Sequence, residues 1–283
     1  MKRILVAGAT GYLGGFVARE FKSQGHFVRT LARSAEKLNN LNPAPDEIVQ
    51  GEITRPETIT HVCDDIDIVF SSVGITRQKD KLTFRDVDYQ GNKNLLEVAL
   101  RAGVEKFVYV SVLNGPNLTH LAIVKAHEDF VAVLKSSDIN YAVVRPTGYF
   151  SDMTEFLKMA QKGRIYLIGK GANRCNPIHG ADLAKACVDA VEGENQEIDV
   201  GGPQIMTYRE IAELAFESLD KNPRISSVPF WLMKATVVLT KIFSKHQGEL
   251  LAFFTTAMTS DVVAPTTGTH TLKDHYQGLG ILN

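Results

Sequence analysis

The chain reads as short apolar runs separated by stretches in which apolar residues return at helical spacing. Runs at residues 4–6, 27–31, 47–50, 67–71, 106–112 and 140–144 are too short for helices, so they predict six strands. The most apolar of them are continuous rather than alternating. That pattern belongs to strands covered on both faces, and hence to a parallel sheet with helices above and below. The helical stretches supply the cover. Phe16, Val17, Ala18 and Phe21 follow the first run. Leu95, Leu96, Val98, Ala99 and Ala102 mark a helix over 87–102 that Gly103 ends, and Ile123, Phe130, Val131 and Leu134 mark another over 120–135. A shorter helix is expected at 57–62 and a polar loop at 76–86. Strand alternating with helix predicts an α/β fold built on a doubly wound parallel sheet.

Beyond residue 150 the pattern loosens. Residues 156–161 continue a helix, 163–171 suggest a hairpin or extended loop, and 197–201 add a seventh strand. Thr207 with Glu210 three positions later is a capping box opening a helix to about Leu219. An apolar stretch runs from 228 to 243, a second from 250 to 258, and 265–282 is expected to be loop-rich.

The turn after the first strand carries the strongest chemical signal. In MKRILVAGATGYLGG, Gly8, Gly11 and Gly14 stand between a strand and a helix, the context a dinucleotide-binding turn requires. One glycine permits the tight turn, one lets the backbone approach a pyrophosphate, and one lets helix and strand pack closely. Gly8, Thr10, Gly11, Tyr12, Leu13 and Gly14 are therefore the expected pyrophosphate cradle, with helix-start N–H groups facing the phosphates. The second strand ends in Ala32-Arg33-Ser34, with no acid to take a ribose 2′-hydroxyl. Arg33 and Ser34, helped by Lys37, suit a 2′-phosphate, so NADPH is the expected cofactor; a solvated surface arginine is the alternative. Glu52 and Ile53 are placed to flank the adenine, and Ser72, Val73 and Gly74, after the fourth strand, to line the cofactor unless they form an ordinary small-residue turn. Ser111, at the end of the fifth strand, is a polar catalytic candidate or a satisfied structural hydroxyl.

Bulk properties narrow the class. A formal net charge of -1 offers no field for nucleic acid. Cys63, Cys175 and Cys187 are isolated, which argues against a disulfide framework or a metal site and for a reducing, cytoplasmic setting. Cys175 lacks a paired base and is a weak nucleophile candidate. The apolar N-terminus serves as the first strand, so no signal peptide is expected. The stretch at 228–243 is too short and charged to span a membrane. It reads as an amphipathic helix over the substrate region, and peripheral membrane or protein contact through 228–258 is the alternative, with Lys234 and Lys241 on one side.

Taken together, GATGYLGG (8–15), VRTLAR (28–33), VDYQGNKNLLEVALRAGVEKFVYVS (87–111), KAHEDFVAVLKSSDINYAVVRPTGYF (125–150) and NPIHGADLAKA (176–186) resemble an atypical short-chain dehydrogenase/reductase of the NmrA-like, NAD(P)-binding kind, whose members are often called nucleoside-diphosphate-sugar epimerases. The resemblance implies a Rossmann domain of residues 1–150 plus about 177–201, and a substrate-binding region of 151–176 plus 202–283. It also implies that Lys125 binds the nicotinamide ribose and that Ser111 stands at the catalytic serine position. Catalytic members carry Tyr four residues before that lysine; here the residue is Leu121. Tyr149, in the RP-containing segment that lines the nicotinamide pocket of the family, is the first substitute, followed by Tyr89 and His120. RPTGYF is loosely similar to divinyl-chlorophyllide reductases. The expectation is an NADPH-dependent oxidoreductase acting on a small or lipophilic molecule. The alternatives are a non-catalytic NADP(H) sensor or assembly factor, and a nucleotide-sugar epimerase or dehydratase.

Overall fold

The computed structural model describes residues 1–38, 41–75 and 82–280. The chain divides into two compact units: Met1–Arg145 with Leu183–Ile198, and Pro146–Asp182 with Asp199–Asn283.

The first unit begins with β1 (Arg3–Ala7), α1 (Tyr12–Ser23), β2 (Phe27–Ala32), β3 (Glu47–Gln50) and β4 (Ile68–Ser71). Then come α2 (Asn92–Arg101), β5 (Lys106–Val110), α3 (Ala122–Lys135) and β6 (Asn140–Pro146). These strands join a seven-stranded sheet in the order β3-β2-β1-β4-β5-β6, which β9 (Gln196–Val200) completes. The pairings from β3 to β6 are parallel. Ile4, Leu5, Val6, Phe107, Val108 and Tyr109 are fully buried, as continuous apolar strands between two helical layers must be. Strand order reverses between β1 and β4, so the crevice for a ligand opens beyond their carboxyl ends.

Local expectations needed correction where the apolar period was weak. Residues 57–62 do not form a helix: a 3-10 turn covers Pro56–Thr58 and turns follow. The helix expected from 87 starts earlier, as a π-helical stretch over Arg85–Gly91 that runs into α2, so Arg85 and Asp86 belong to it rather than to the loop. Residues 76–81 of that loop lie outside the described residues.

The second unit holds α4 (Phe150–Gln161), β7 (Ile165–Ile168), β8 (Arg174–Cys175), β10 (Met206–Thr207), α6 (Tyr208–Glu217) and β11 (Ile225–Val228). It continues with α7 (Phe230–Phe243), α8 (Lys245–Met258) and α9 (Leu272–Gly280), while α5 (Gly180–Asp189) bridges the chain between the units. Phe150, Phe156, Leu157, Ile165, Ile211, Phe216 and Tyr276 form its core. Residues 163–171 do not make a hairpin, because β7 pairs in parallel with β11 some sixty residues later. The end of the chain is not all loop, since Leu272–Gly280 is helical.

Candidate functional site

The glycine turn is built as its spacing requires. Gly8 sits at φ +93°, a conformation that side chains resist, and its carbonyl accepts from the Gly11 N–H at 2.9 Å. A Cβ on Gly14 would lie 2.2 Å from the Gly8 carbonyl oxygen, so only glycine lets α1 pack this closely on the turn. No side chain caps α1 at Gly11, and its first turn contains no acid. The helix start therefore presents backbone N–H groups and the positive end of the dipole, a chemistry that fits a pyrophosphate. Thr10 and Gly11 are exposed, Tyr12 is half-buried, and Leu13 and Gly14 are buried, so Leu13 would contribute through its backbone.

At the end of β2, Arg33 is exposed and Ser34 half-buried, while Gln50 holds the Arg33 carbonyl at 3.1 Å. Lys37 is exposed nearby in the chain. A guanidinium and a hydroxyl here are both able to donate to the oxygens of an anion. Glu52 pairs with Arg55 at 3.4 Å, and Ile53 is buried in the core.

Beyond β4, Ser72 and Val73 are half-buried and Gly74 is exposed. A Cβ on Gly8 would meet the Ser72 Oγ at 2.9 Å, which brings the tips of β1 and β4 together at the switch point. Beneath this segment lies a polar group that the motifs did not reveal. The Tyr109 hydroxyl and His127 Nδ1 are 2.6 Å apart, and His127 Nε2 approaches Asp88 Oδ1 at 3.2 Å without the alignment of a hydrogen bond. Asp88 Oδ2 accepts from the Ile75 N–H at 3.4 Å, and Asn92 Nδ2 donates to the carbonyls of Val73 and Asp88. Burial raises the Asp88 carboxyl above the usual carboxylate range, opposed by His127, and burial also keeps the Tyr109 phenol protonated well above its ordinary range. A Cβ on Gly74 would sit 2.9 Å from Asp88 Oδ1 and 3.5 Å from His127 Cε1. This network thus sets the course of residues 72–75. The signal for it was present: His127 shares a helical stripe with Ile123, Phe130 and Leu134, and Asp88 and Asn92 share one with Leu95.

The candidate catalytic residues are differently disposed. The Ser111 Oγ donates to Glu128 Oε1 at 2.7 Å and accepts from Arg145 Nη1 at 3.2 Å. Arg145 is itself buried, bidentate to Glu128 at 2.5 and 2.9 Å, and bound to Glu197 at 2.9 Å. Ser111 is accordingly held inside an ion-pair cluster. Lys125 projects to the surface, 57% exposed, and pairs with Asp129 one turn on at 2.8 Å. Leu121 is buried at the start of α3, so no phenol stands one turn before Lys125. Tyr149 belongs to the second unit, half-buried at the start of α4, where its N–H donates to Asp152. Tyr89 packs on the core with the Arg85 guanidinium over its ring at 4.6 Å, and His120 is exposed.

In the second unit, the polar 173–176 stretch is tied into the fold. Arg174 pairs with Asp261, Asn173 caps the Met258 carbonyl, and buried Asn176 donates to the carbonyls of Gly202 and Ala264. Burial pushes the Cys175 thiol up to about 12, which removes it as a nucleophile. His179 stacks on His270 at 4.3 Å, and Asp182 binds His270 Nδ1 at 2.9 Å. Burial, then the neighbouring His270 and His275, lowers His179 to about 4. Among the described residues no group of three or more His, Cys, Asp or Glu could hold a metal ion, and no helix is long and apolar enough to cross a membrane.

Comparison with known proteins points to the nicotinamide-cofactor class. The model of the NAD(P)H-binding family matches residues 8–194. The photosystem II assembly factor Ycf39 of Synechocystis is 30% identical over 264 residues, spanning 89% of this chain and 78% of its own length. Divinyl chlorophyllide a 8-vinyl-reductase of Cucumis sativus is 29% identical over 252 residues, spanning 81% of this chain and 60% of its own. An NADPH-dependent quinone oxidoreductase from Escherichia coli, solved with NADPH, has the same fold at a TM-score of 0.76 and 17% identity, covering 98% of this chain and 99% of that one. A strand, a glycine turn that tolerates no side chain at Gly14, an uncapped helix and a family match over the same residues lead to one conclusion: the chain belongs to the NAD(P)H-binding family, among the atypical short-chain dehydrogenases/reductases.

Proposed function

We propose that the protein is an NADPH-dependent reductase that passes a hydride to a small lipophilic acceptor, a quinone or a conjugated C=C bond. The observation that carries this reading is the pairing of an intact cofactor cradle with a buried Leu121 and a Ser111 committed to Glu128 and Arg145. A simple carbonyl or a sugar needs a positioned proton donor, because its developing alkoxide is strongly basic. A quinone or an enone delocalises the developing charge, so a proton from water completes the reduction. The reduced nicotinamide, when bound, supplies the hydride. Gly8, Gly11 and Gly14 hold the pyrophosphate, Arg33 and Ser34 the 2′-phosphate, and Ser72, Val73 and Gly74 line the cofactor. Lys125 leaves Asp129 to bind the ribose, which its exposure permits. Tyr149 orients the acceptor within the 151–176 and 202–283 region. The activities for which the cucumber reductase and the quinone oxidoreductase are named are of this chemical class.

The test is oxidation of NADPH by the purified protein with menadione, a cyclic enone and a simple aldehyde in turn, with UDP-glucose assayed separately for epimerisation, which consumes no NADPH. Turnover is expected with the first two only. A second reading, an NADP(H)-binding assembly factor, is favoured by the saturated Ser111 and by the Ycf39 relative. NADPH binding without turnover of any acceptor selects it, and epimerisation of UDP-glucose sinks both.

A further inference from the structure

We infer that the helical hairpin of α7 and α8 docks on an anionic lipid surface through the outer face of α7. The inference stands apart from the cofactor reading. Not one residue of α7 is buried, although the helix is strongly apolar. Met233, Val237 and Thr240 are half-buried, at the spacing of the stripe that packs on α8. Gly248 of α8 makes that packing close: a Cβ there would lie 2.7 Å from the Lys241 Cα.

The opposite face remains outside. Trp231, Ala235, Val238 and Ile242 recur at i, i+4, i+7 and i+11, and Leu232, Leu239 and Phe243 widen the same face. Trp231 is 69% exposed, Ile242 72% and Phe243 88%. No polar residue interrupts this face, and a contiguous exposed apolar surface of this kind marks an interaction site.

Charge and length select the occupant. The only ionic side chains of α7 are Lys234 and Lys241, both along one margin of the apolar face, and Lys245 follows at the start of α8. Lys234 lies over the Phe230 ring and Lys241 reaches Glu249, so both stems are laid along the helix with their ammonium groups at its edge. Glu249 neutralises Lys241, so Lys234 and Lys245 supply the net positive charge that complements anionic headgroups. A helix of 14 residues is about 21 Å long, short of a hydrocarbon core of about 30 Å, so it lies in the interface rather than crossing it. A tryptophan at one end and a phenylalanine at the other are suited to that depth.

Trp231 is the sole tryptophan, so its fluorescence reports the docking directly. The full chain is mixed with vesicles of phosphatidylcholine alone or with added phosphatidylglycerol. With the anionic vesicles, a blue shift of emission and co-sedimentation are expected. Ile242→Glu and Val238→Glu should each weaken binding at least tenfold while leaving NADPH affinity unchanged. Lys234→Glu should weaken binding to the anionic vesicles about fivefold or more, since each juxtaposed lysine contributes about that factor. Absence of any shift with the folded protein overturns the proposal, as does binding that Ile242→Glu leaves intact. Self-association without vesicles that Ile242→Glu abolishes would assign the face to a second copy instead.

Discussion

Arg145 answers two carboxylates and a serine from one buried guanidinium, and it shows what a single side chain decides here. Removing it strands Glu128, whose side chain is only 11% exposed, so Arg145→Ala should cost about 3–5 kcal/mol in chemical denaturation. Arg33 is the opposite case, an exposed residue that the proposed function assigns to the cofactor. Arg33→Ala should weaken NADPH binding roughly tenfold or more, as loss of a charged hydrogen bond implies, and leave NADH nearly unchanged in calorimetric titration. The histidine cluster sets a pH dependence. His179 titrates at about 4 in the folded chain and near 6.5 when unfolded, so below about 6.5 the unfolded state binds the extra proton. Stability should therefore fall as pH drops from about 6.5 to about 4, and His179→Asn should flatten that part of the thermal-stability profile. Glu197, held low first by its hydrogen bond to Lys135 and also by Arg145, adds stability that disappears at still lower pH. The glycine turn was legible in the chain because its geometry depends on backbone conformation. The engagement of Ser111 was not, since Glu128 and Arg145 lie 17 and 34 positions away.

At the scale of elements, two glycines act as spacers. Gly14→Ala would press a methyl group on the Gly8 carbonyl, where backbone must yield, and should abolish cofactor binding as well as lower stability. Gly248→Ala would meet the α7 backbone at Lys241 and should cost about 1–3 kcal/mol of overpacking, read as a lower melting temperature. The capping box at Thr207 was readable because it is closed within four residues, and it forms as expected, with the Glu210 N–H donating to Thr207 and the Glu210 carboxylate accepting from the Thr207 N–H. The strand β7 was not, because its partner β11 is remote in sequence and nothing in residues 163–171 names it. The helix at 57–62 failed for a different reason. Pro56 and Thr58 favour a single turn, and Thr58 Oγ1 is spent on the Arg55 and Glu52 carbonyls.

For the whole molecule, the strand order β3-β2-β1-β4-β5-β6 places the glycine turn at the crevice between β1 and β4. Ligand that binds only the folded state must then stabilise it. NADPH at a hundred times its dissociation constant should add about 2.7 kcal/mol, seen as a rise in melting temperature. Hydrogen exchange should slow first at residues 8–14.

The amino-acid sequence by itself determined the parallel sheet and the glycine turn, because each is written in local periodicity or in glycine spacing; that Leu121 stands where a phenol is expected follows from the family resemblance. Only the tertiary structure decided that Ser111 is locked by Arg145, that His127 joins Tyr109 to Asp88, and that the apolar face of α7 stays uncovered. Those outcomes depend on which distant residues meet. A hydroxyl, an imidazole or a leucine carries the same letter whether it is spent inside the fold or left for a partner.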